Sequence, residues 1–318
     1  MLVLQLQLFG AMIPQCTAED SLNYANNIIL LKTYESKDYP KGILNIRQLI
    51  TGTNENVTID INWVYMNSQN PNNLKLTIDS VNTNFRNNNI PLHFNLKNTK
   101  SINERITLDP YDCVSHNLLY SKYGDKSSKI MNIFSGTINN DNTAFTKFPQ
   151  PGNSTNGIFL GDMENHNLTK TEWVNTLTHE FGHWFGLLHT FQNGCNATTN
   201  DYVPDTKIVN VSPRAKTIVP GLKFNYNNLV SGTWKCDQKV DTCTDQPGND
   251  LINNYMDYTL CQSTFTQGQS YRIMMFAYFR YFGKMVDPAT LDNVKASKAA
   301  LIVSLRFWIV MLLSISVL

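Results

Sequence analysis

Residues 179 to 189 read His-Glu-Phe-Gly-His-Trp-Phe-Gly-Leu-Leu-His. His179 and His183 stand four apart, so on a helix they project from one face, one turn from each other. Two imidazoles placed in this way can share a zinc ion at about 2.0–2.1 Å each. Glu180 is rotated off that face but stays beside the metal, where it can take a proton from an attacking water rather than ligate. Gly186 tolerates the positive φ that ends a helix and turns the chain back. Such a turn would bring His189 to the third ligand position. Three protein ligands leave the fourth place for water, the open arrangement of a catalytic site. A lone HExxH arises by accident in helices, but the extended HExxHxxGxxH is hard to meet by accident. It holds three of the six histidines in the chain. His93, His116 and His166 are read as ordinary surface or core residues.

These side chains need a helix and something to pack it on. Thr169-Lys-Thr-Glu172 is a capping box, in which the Thr side chain accepts from an early amide and the Glu reaches back. The run continues through Trp173, Leu177, Phe181 and Trp184 to Gly186, which predicts one helix carrying the motif. Upstream, Thr58–Tyr65 and Pro91–Leu96 alternate apolar and polar residues as strands do, and Asn73–Arg86 has helical spacing. Lys129–Phe134 and Gly157–Gly161 are short apolar runs of strand character. Without a regular βαβ repeat, this order predicts an α+β domain. Glu19–Asn56 has no strong periodicity and is read as a pro-segment or linker.

With Lys+Arg 26 against Asp+Glu 25, the net charge is +1, so no basic excess exists to neutralise phosphates. Nucleic acid is therefore excluded as a partner. The six cysteines form no CxxC pair, which speaks against a cysteine zinc ribbon or a thioredoxin-like site. Disulfides in an oxidising compartment fit better, and N-x-S/T sequons at Asn56, Asn153, Asn167, Asn196 and Asn210 agree with a secreted glycoprotein. Residues 1–18 are read as a signal peptide, an apolar stretch ending in small residues but lacking a basic start. Residues 289–318 end in an apolar run whose one charge after Leu301 is Arg306, read as a GPI signal or membrane anchor with an amphipathic core helix as the alternative.

The extended histidine motif followed by Asn254-Tyr-Met-Asp-Tyr258 resembles the metzincin metallopeptidases, in which a methionine turn follows the zinc helix. More narrowly, HEFGHWFGLLHTFQNGC, DYVPDT, DTCTDQPGND and NYMDYTLCQSTFTQGQSYRI resemble the pappalysin family, in particular its fungal and microbial secreted members. The likeness is strong from Gly157 to Ile273 and weaker from Thr58 to Gln150.

That resemblance implies a metzincin-type zincin fold. An upper part would hold a twisted mixed sheet, a backing helix and the active-site helix. A lower, irregular part would hold the Met-turn and a helix near Gln267–Phe282. It implies His179, His183 and His189 as zinc ligands, Glu180 as general base and acid, and Tyr258 as a stabiliser of the oxyanion. Met256 would pack beneath the metal. It also implies Cys195–Cys243 and Cys236–Cys261 pairs, although four cysteines allow three connectivities. Relatives carry structural calcium where Asp201 and Thr206 offer hard oxygen ligands. Here Lys207 replaces the family's proline, and the stretch from Lys207 to Trp234 looks inserted.

The resulting expectation is a catalytic domain over residues 57–288, a secreted or surface-tethered zinc endopeptidase acting on proteins or peptides. The peptide would lie extended along an edge strand such as Gly157–Leu160. The competing reading is a non-catalytic, zinc-stabilised adhesion module. Cys16 has three open fates: a thiolate that occupies the zinc in a latent precursor, a partner for Cys113, or removal with the signal peptide.

Overall fold

The computed structural model describes residues 39–66, 74–104, 106–109, 112–138, 144–147, 157–161, 169–192, 194–195, 200–210, 236–237, 239, 241–259 and 261–283. The expectations for residues 1–18, for 289–318 and for Cys16 lie outside these residues, as do three sequons and most of the stretch read as inserted. Of the other two sequons, Asn56 is exposed and Asn210 half-buried. Among the described residues no helix is long and apolar enough to cross a membrane.

The chain runs α1 (Tyr39–Thr51), β1 (Val57–Met66), α2 (Leu74–Asn87), β2 (Leu92–Ile102), α3 (Cys113–Tyr123) and β3 (Ile130–Gly136). It continues with β4 (Ala144–Thr146), β5 (Ile158–Gly161), α4 (Lys170–Trp184) and α5 (Gln267–Phe282). The strands form one sheet in the order β2-β1-β3-β5-β4. β1 is parallel to β2 and β3, and β3 is parallel to β5; only β4 runs antiparallel, against β5. This is an α+β arrangement with a mixed sheet.

Side-chain alternation divides the core into two layers. Val57, Ile59, Ile61 and Trp63 of β1, Met131 and Ile133 of β3, and Ile158 and Leu160 of β5 face the layer that also contains α2, α4 and α5. Val64, Met66, Phe134 and Phe159 face the other way, against Leu119 and Tyr120 of α3. Both faces of the sheet are therefore covered, as mostly parallel strands require.

Two expectations change. The stretch read as pro-segment or linker contains α1, whose Ile43 and Ile46 join the main core and whose Tyr39 ring lies 5.6 Å from that of Tyr271 in α5. The strand proposed as the edge, β5, is an inner strand because β4 pairs with its outer side. β4 is only three residues long, too short to register as a periodic pattern.

The helix that carries the histidines is fixed at both ends. Its N-cap is Thr169, with the reciprocal capping box to Glu172 formed. At its C-terminus Gly186 has φ +81°; the Leu187 amide donates to the Gly182 carbonyl at 3.0 Å and the Gly186 amide to that of His183 at 2.9 Å. This 6→1 and 5→2 pair is a Schellman ending, in which a left-handed glycine satisfies the last carbonyls. From α5, Arg280 lays its guanidinium over the Trp184 ring at 3.9 Å and donates to the Trp184 carbonyl at 3.1 Å.

Gly186 has no room for a side chain: a Cβ there would meet the Phe276 ring at 2.3 Å. Gly186→Ala combines this clash with left-handed strain, so it should destabilise the domain by about 2–4 kcal/mol. It should also displace His189; thermal denaturation and metal content by mass spectrometry check both effects.

On the other side of the sheet His116 is 1% exposed, packed against the stacked pair Phe145 and Phe159 at ring distances of 5.0 and 4.3 Å. Burial, with the nearby Lys147 charge adding and Asp112 and Asp109 opposing, lowers its pKa to about 4. The unfolded chain, with an ordinary value near 6.5, takes up the proton first, so His116 costs stability as pH falls from about 6.5 towards 4. The loss should reach about 3 kcal/mol at full titration. Replacing His116→Phe should flatten that part of the acid limb in denaturant titrations at pH 7.5, 6 and 5.

Candidate active site

α4 presents His179 and His183 on one face, and the Gly186 turn returns the chain so that His189 completes a triangle. The Nε2 atoms of His179 and His183 are 3.0 Å apart, and each lies 3.1 Å from Nε2 of His189. Among the described residues these three form the one histidine, cysteine or carboxylate cluster fit to hold a metal. The tautomers of two rings follow from their partners. His179 Nδ1 is 2.6 Å from the Tyr255 carbonyl and His183 Nδ1 is 2.8 Å from that of Leu187, so each donates its N–H there. Their Nε2 lone pairs therefore point into the triangle.

His189 is held differently. Its Nδ1 has no hydrogen-bond partner, but its ring stacks on Phe191 at 4.8 Å and 7° and meets Tyr258 edge-on at 4.7 Å. Burial depresses all three imidazoles, to about 4 for His179, with His183 and His189 lowered further by their histidine neighbours. Neutral rings with lone pairs aimed at a common point form a donor set for a metal cation. A borderline ion of the zinc type suits imidazole nitrogen at these separations.

The Met-turn forms the floor. Met256 is fully buried, and a Cβ on Gly182 of α4 would lie 2.5 Å from its Sδ, so the glycine makes room for the methionine. The turn itself is built by amides. Asn254 Oδ1 accepts from the Met256 amide at 2.9 Å, Asn254 and Gln269 exchange hydrogen bonds at 2.7 and 3.1 Å, and Gln262 donates to the Tyr255 carbonyl at 2.9 Å. Thr190 binds back to the turn through its amide on the Met256 carbonyl at 3.1 Å and its hydroxyl on Asp257 at 3.2 Å.

Glu180 is 5% exposed, and burial raises its pKa to about 7, opposed by a hydrogen bond from Thr146 of β4. Tyr258 is 37% exposed and packs its ring against His179, His189 and Phe191. Asn254, Gln262, Thr146 and Phe191 were not singled out from the sequence. Asn254 lies inside the NYMDY motif and was legible in principle. Thr146 stands 34 residues before Glu180 in a segment without a motif.

Asp201 and Thr206 also come together. Thr206 donates to Asp201 Oδ1 at 2.6 Å, the Val203 amide donates to the same oxygen at 3.0 Å, and Asp201 Oδ2 is buried with no hydrogen-bond partner. Burial raises the Asp201 pKa to about 7. Lys207, in the family's proline position, sends its ammonium to the Gln246 carbonyl at 2.5 Å and lies 3.5 Å from Asp241. A disulfide from Cys195 to Cys243 ties the segment after the histidines to the one before the Met-turn, and one from Cys236 to Cys261 joins the segments on either side of that turn.

The Peptidase M43 family model, described as pregnancy-associated plasma protein-A, matches residues 119–277, half of the chain. An extracellular metalloprotease of Neurospora crassa is 39% identical over 115 residues, which cover 36% of this chain and 31% of that protein. One of Pyricularia oryzae is 41% identical over 126 residues, 39% of this chain and 37% of the relative. The chain thus spans about a third of the length of these relatives. Mature mirolysin of Tannerella forsythia, solved with a cleaved peptide, aligns at a TM-score of 0.49 and 18% identity, covering 70% of this chain and 91% of that one. The histidine cluster, the turn beneath it and the family match together show that the chain belongs to the pregnancy-associated plasma protein-A family of metallopeptidases.

Proposed function

We propose that this protein is a secreted zinc endopeptidase that hydrolyses peptide bonds in protein or peptide substrates. The observation that carries the reading is the convergence of three imidazole Nε2 atoms within 3.1 Å of one another, with Glu180 one residue along the helix. His179, His183 and His189 would hold the zinc. When bound, zinc polarises a scissile carbonyl and lowers the pKa of a coordinated water. Glu180 accepts the water's proton and passes it to the leaving amine, a role suited to a carboxylate whose pKa is raised to about 7. Tyr258 carries a phenol proton at neutral pH and donates it as a hydrogen bond to the oxyanion. Met256 shapes the floor and touches no reacting atom. The names of the fungal relatives support secretion, and the cysteines paired as disulfides agree with an oxidising compartment.

An adhesion module would need the metal but not Glu180, and burying a carboxylate beside three histidines costs free energy that structure alone does not require. Glu180→Ala should bind one zinc per chain, measured by elemental mass spectrometry. Its turnover of a fluorogenic peptide library should fall by at least about 100-fold. Wild-type turnover in that variant would sink the mechanism.

The finer part of the reading is a structural calcium ion at Asp201 and Thr206. Its support is the buried Asp201 oxygen without a hydrogen-bond partner. Millimolar calcium should then raise the melting temperature of the zinc-loaded protein, and Asp201→Asn should abolish that rise.

A further inference from the structure

β4 is one of the two outer strands of the sheet, and its three residues alternate between its two faces. Phe145 packs with His116 and Phe159 in the layer away from the active site. Thr146 must point the other way, towards α4, and it does: it is 3% exposed and its hydroxyl donates to Glu180 Oε2. A hydroxyl has one proton to give, and the competing acceptor, the Glu180 carbonyl, is farther at 3.3 Å. Among the described residues Thr146 is the one side-chain donor that reaches this carboxylate. β4 is itself held to its neighbour, with Thr146 paired opposite Ile158 and the Lys147 amide donating to the Gly157 carbonyl at 3.1 Å.

A glutamate side chain has three rotatable bonds and loses about 1.5–2 kcal/mol of rotamer freedom when fixed. Near His179, the Glu180 carboxylate has many orientations that miss a water placed above the three imidazoles. One short, charge-assisted hydrogen bond from a rigid strand removes most of them. We propose that Thr146 is a positioning residue for the reaction. Its hydroxyl holds one oxygen of Glu180 from the sheet side, leaving the other free to face the attacking water. This inference rests on the reading of Glu180 as the base. It adds that the outer strand supplies the aim of that base. The requirement is chemical: serine would serve, whereas valine, of the same shape, would not.

The test uses the full zinc-loaded protein and an internally quenched peptide drawn from the library. Thr146→Val should leave zinc content at one per chain and KM within about twofold, while kcat falls roughly ten- to a hundredfold, as loss of a hydrogen bond to a charged group implies. Thr146→Ser should recover kcat to within about threefold of wild type. In a Glu180→Ala background, Thr146→Val should lower the residual rate no further, because nothing remains to be aimed. If valine impairs folding, Thr146→Ala carries the same comparison. Glu180→Ala inactive with Thr146→Val at wild-type kcat overturns the role of Thr146 alone. So does an equal fall in the Glu180→Ala background, or failure of serine to rescue. Glu180→Ala at full activity overturns the base and, with it, this inference.

Discussion

Three buried imidazoles whose Nε2 atoms lie within 3.1 Å of one another are crowded together as a cation between them would require, and the surrounding structure holds them there. Two of the rings are fixed through hydrogen bonds from Nδ1 to backbone carbonyls, one offered by the Met-turn and one by the residue after the Gly186 turn. Both carbonyls are free for this purpose because the backbone has left regular helix at those points. The third ring has no such anchor and relies on aromatic packing with Phe191 and Tyr258. The ligand set thus combines two hydrogen-bonded members with one held by its faces, and the desolvation that keeps all three neutral comes from the same packing.

Each supporting element can be traced to that requirement. Gly182 is small so that Met256 can sit directly beneath the helix, and Gly186 is small because Phe276 of α5 occupies the place of a side chain. Asn254, Gln262 and Gln269 stabilise the Met-turn with amide hydrogen bonds where a sheet or helix ladder is absent. α5 contributes twice more, through Arg280 over Trp184 and through its N-terminus, where Asp205 accepts from the Gly268 amide at 2.8 Å. The sheet sets the depth of α4, and among the described residues its hydrogen bond to the Glu180 carboxylate comes from Thr146.

Much of this arrangement was legible in the sequence, and what was missed has a physical reason. The helix of the histidines was marked by Thr169, Glu172 and Gly186 because caps and left-handed turns demand particular residues. β1, α2 and β3 showed within one or two residues of their observed bounds, whereas β2 starts where expected but runs six residues further, to Ile102. α1 was missed although Tyr39, Ile43, Ile46 and Ile50 repeat at helical spacing; its place in the domain is set by packing on α5, far away in sequence. β4 is shorter than any window that could reveal alternation, so β5 looked like an edge. At the site, spacing announced His179, Glu180, His183 and His189, since they act through local helix geometry. Phe191 follows His189 by two residues yet has no motif position of its own, and Thr146 acts through tertiary proximity, which no local pattern encodes.

The pairing of α1 with α5 joins the first and last described elements across more than 200 residues, reinforced by Tyr281 donating its hydroxyl to the Thr58 carbonyl. Such long-range closure makes the domain slow to complete and ties its parts to the order of synthesis. When the histidine helix leaves the ribosome, the Met-turn, Arg280 and Phe276 have yet to be made. The nascent chain therefore carries the ligands before it has the floor that orients them, and the metal-binding geometry matures only once α5 has been made. Whatever reaction the histidine triangle supports therefore waits until the segment that frames it has folded.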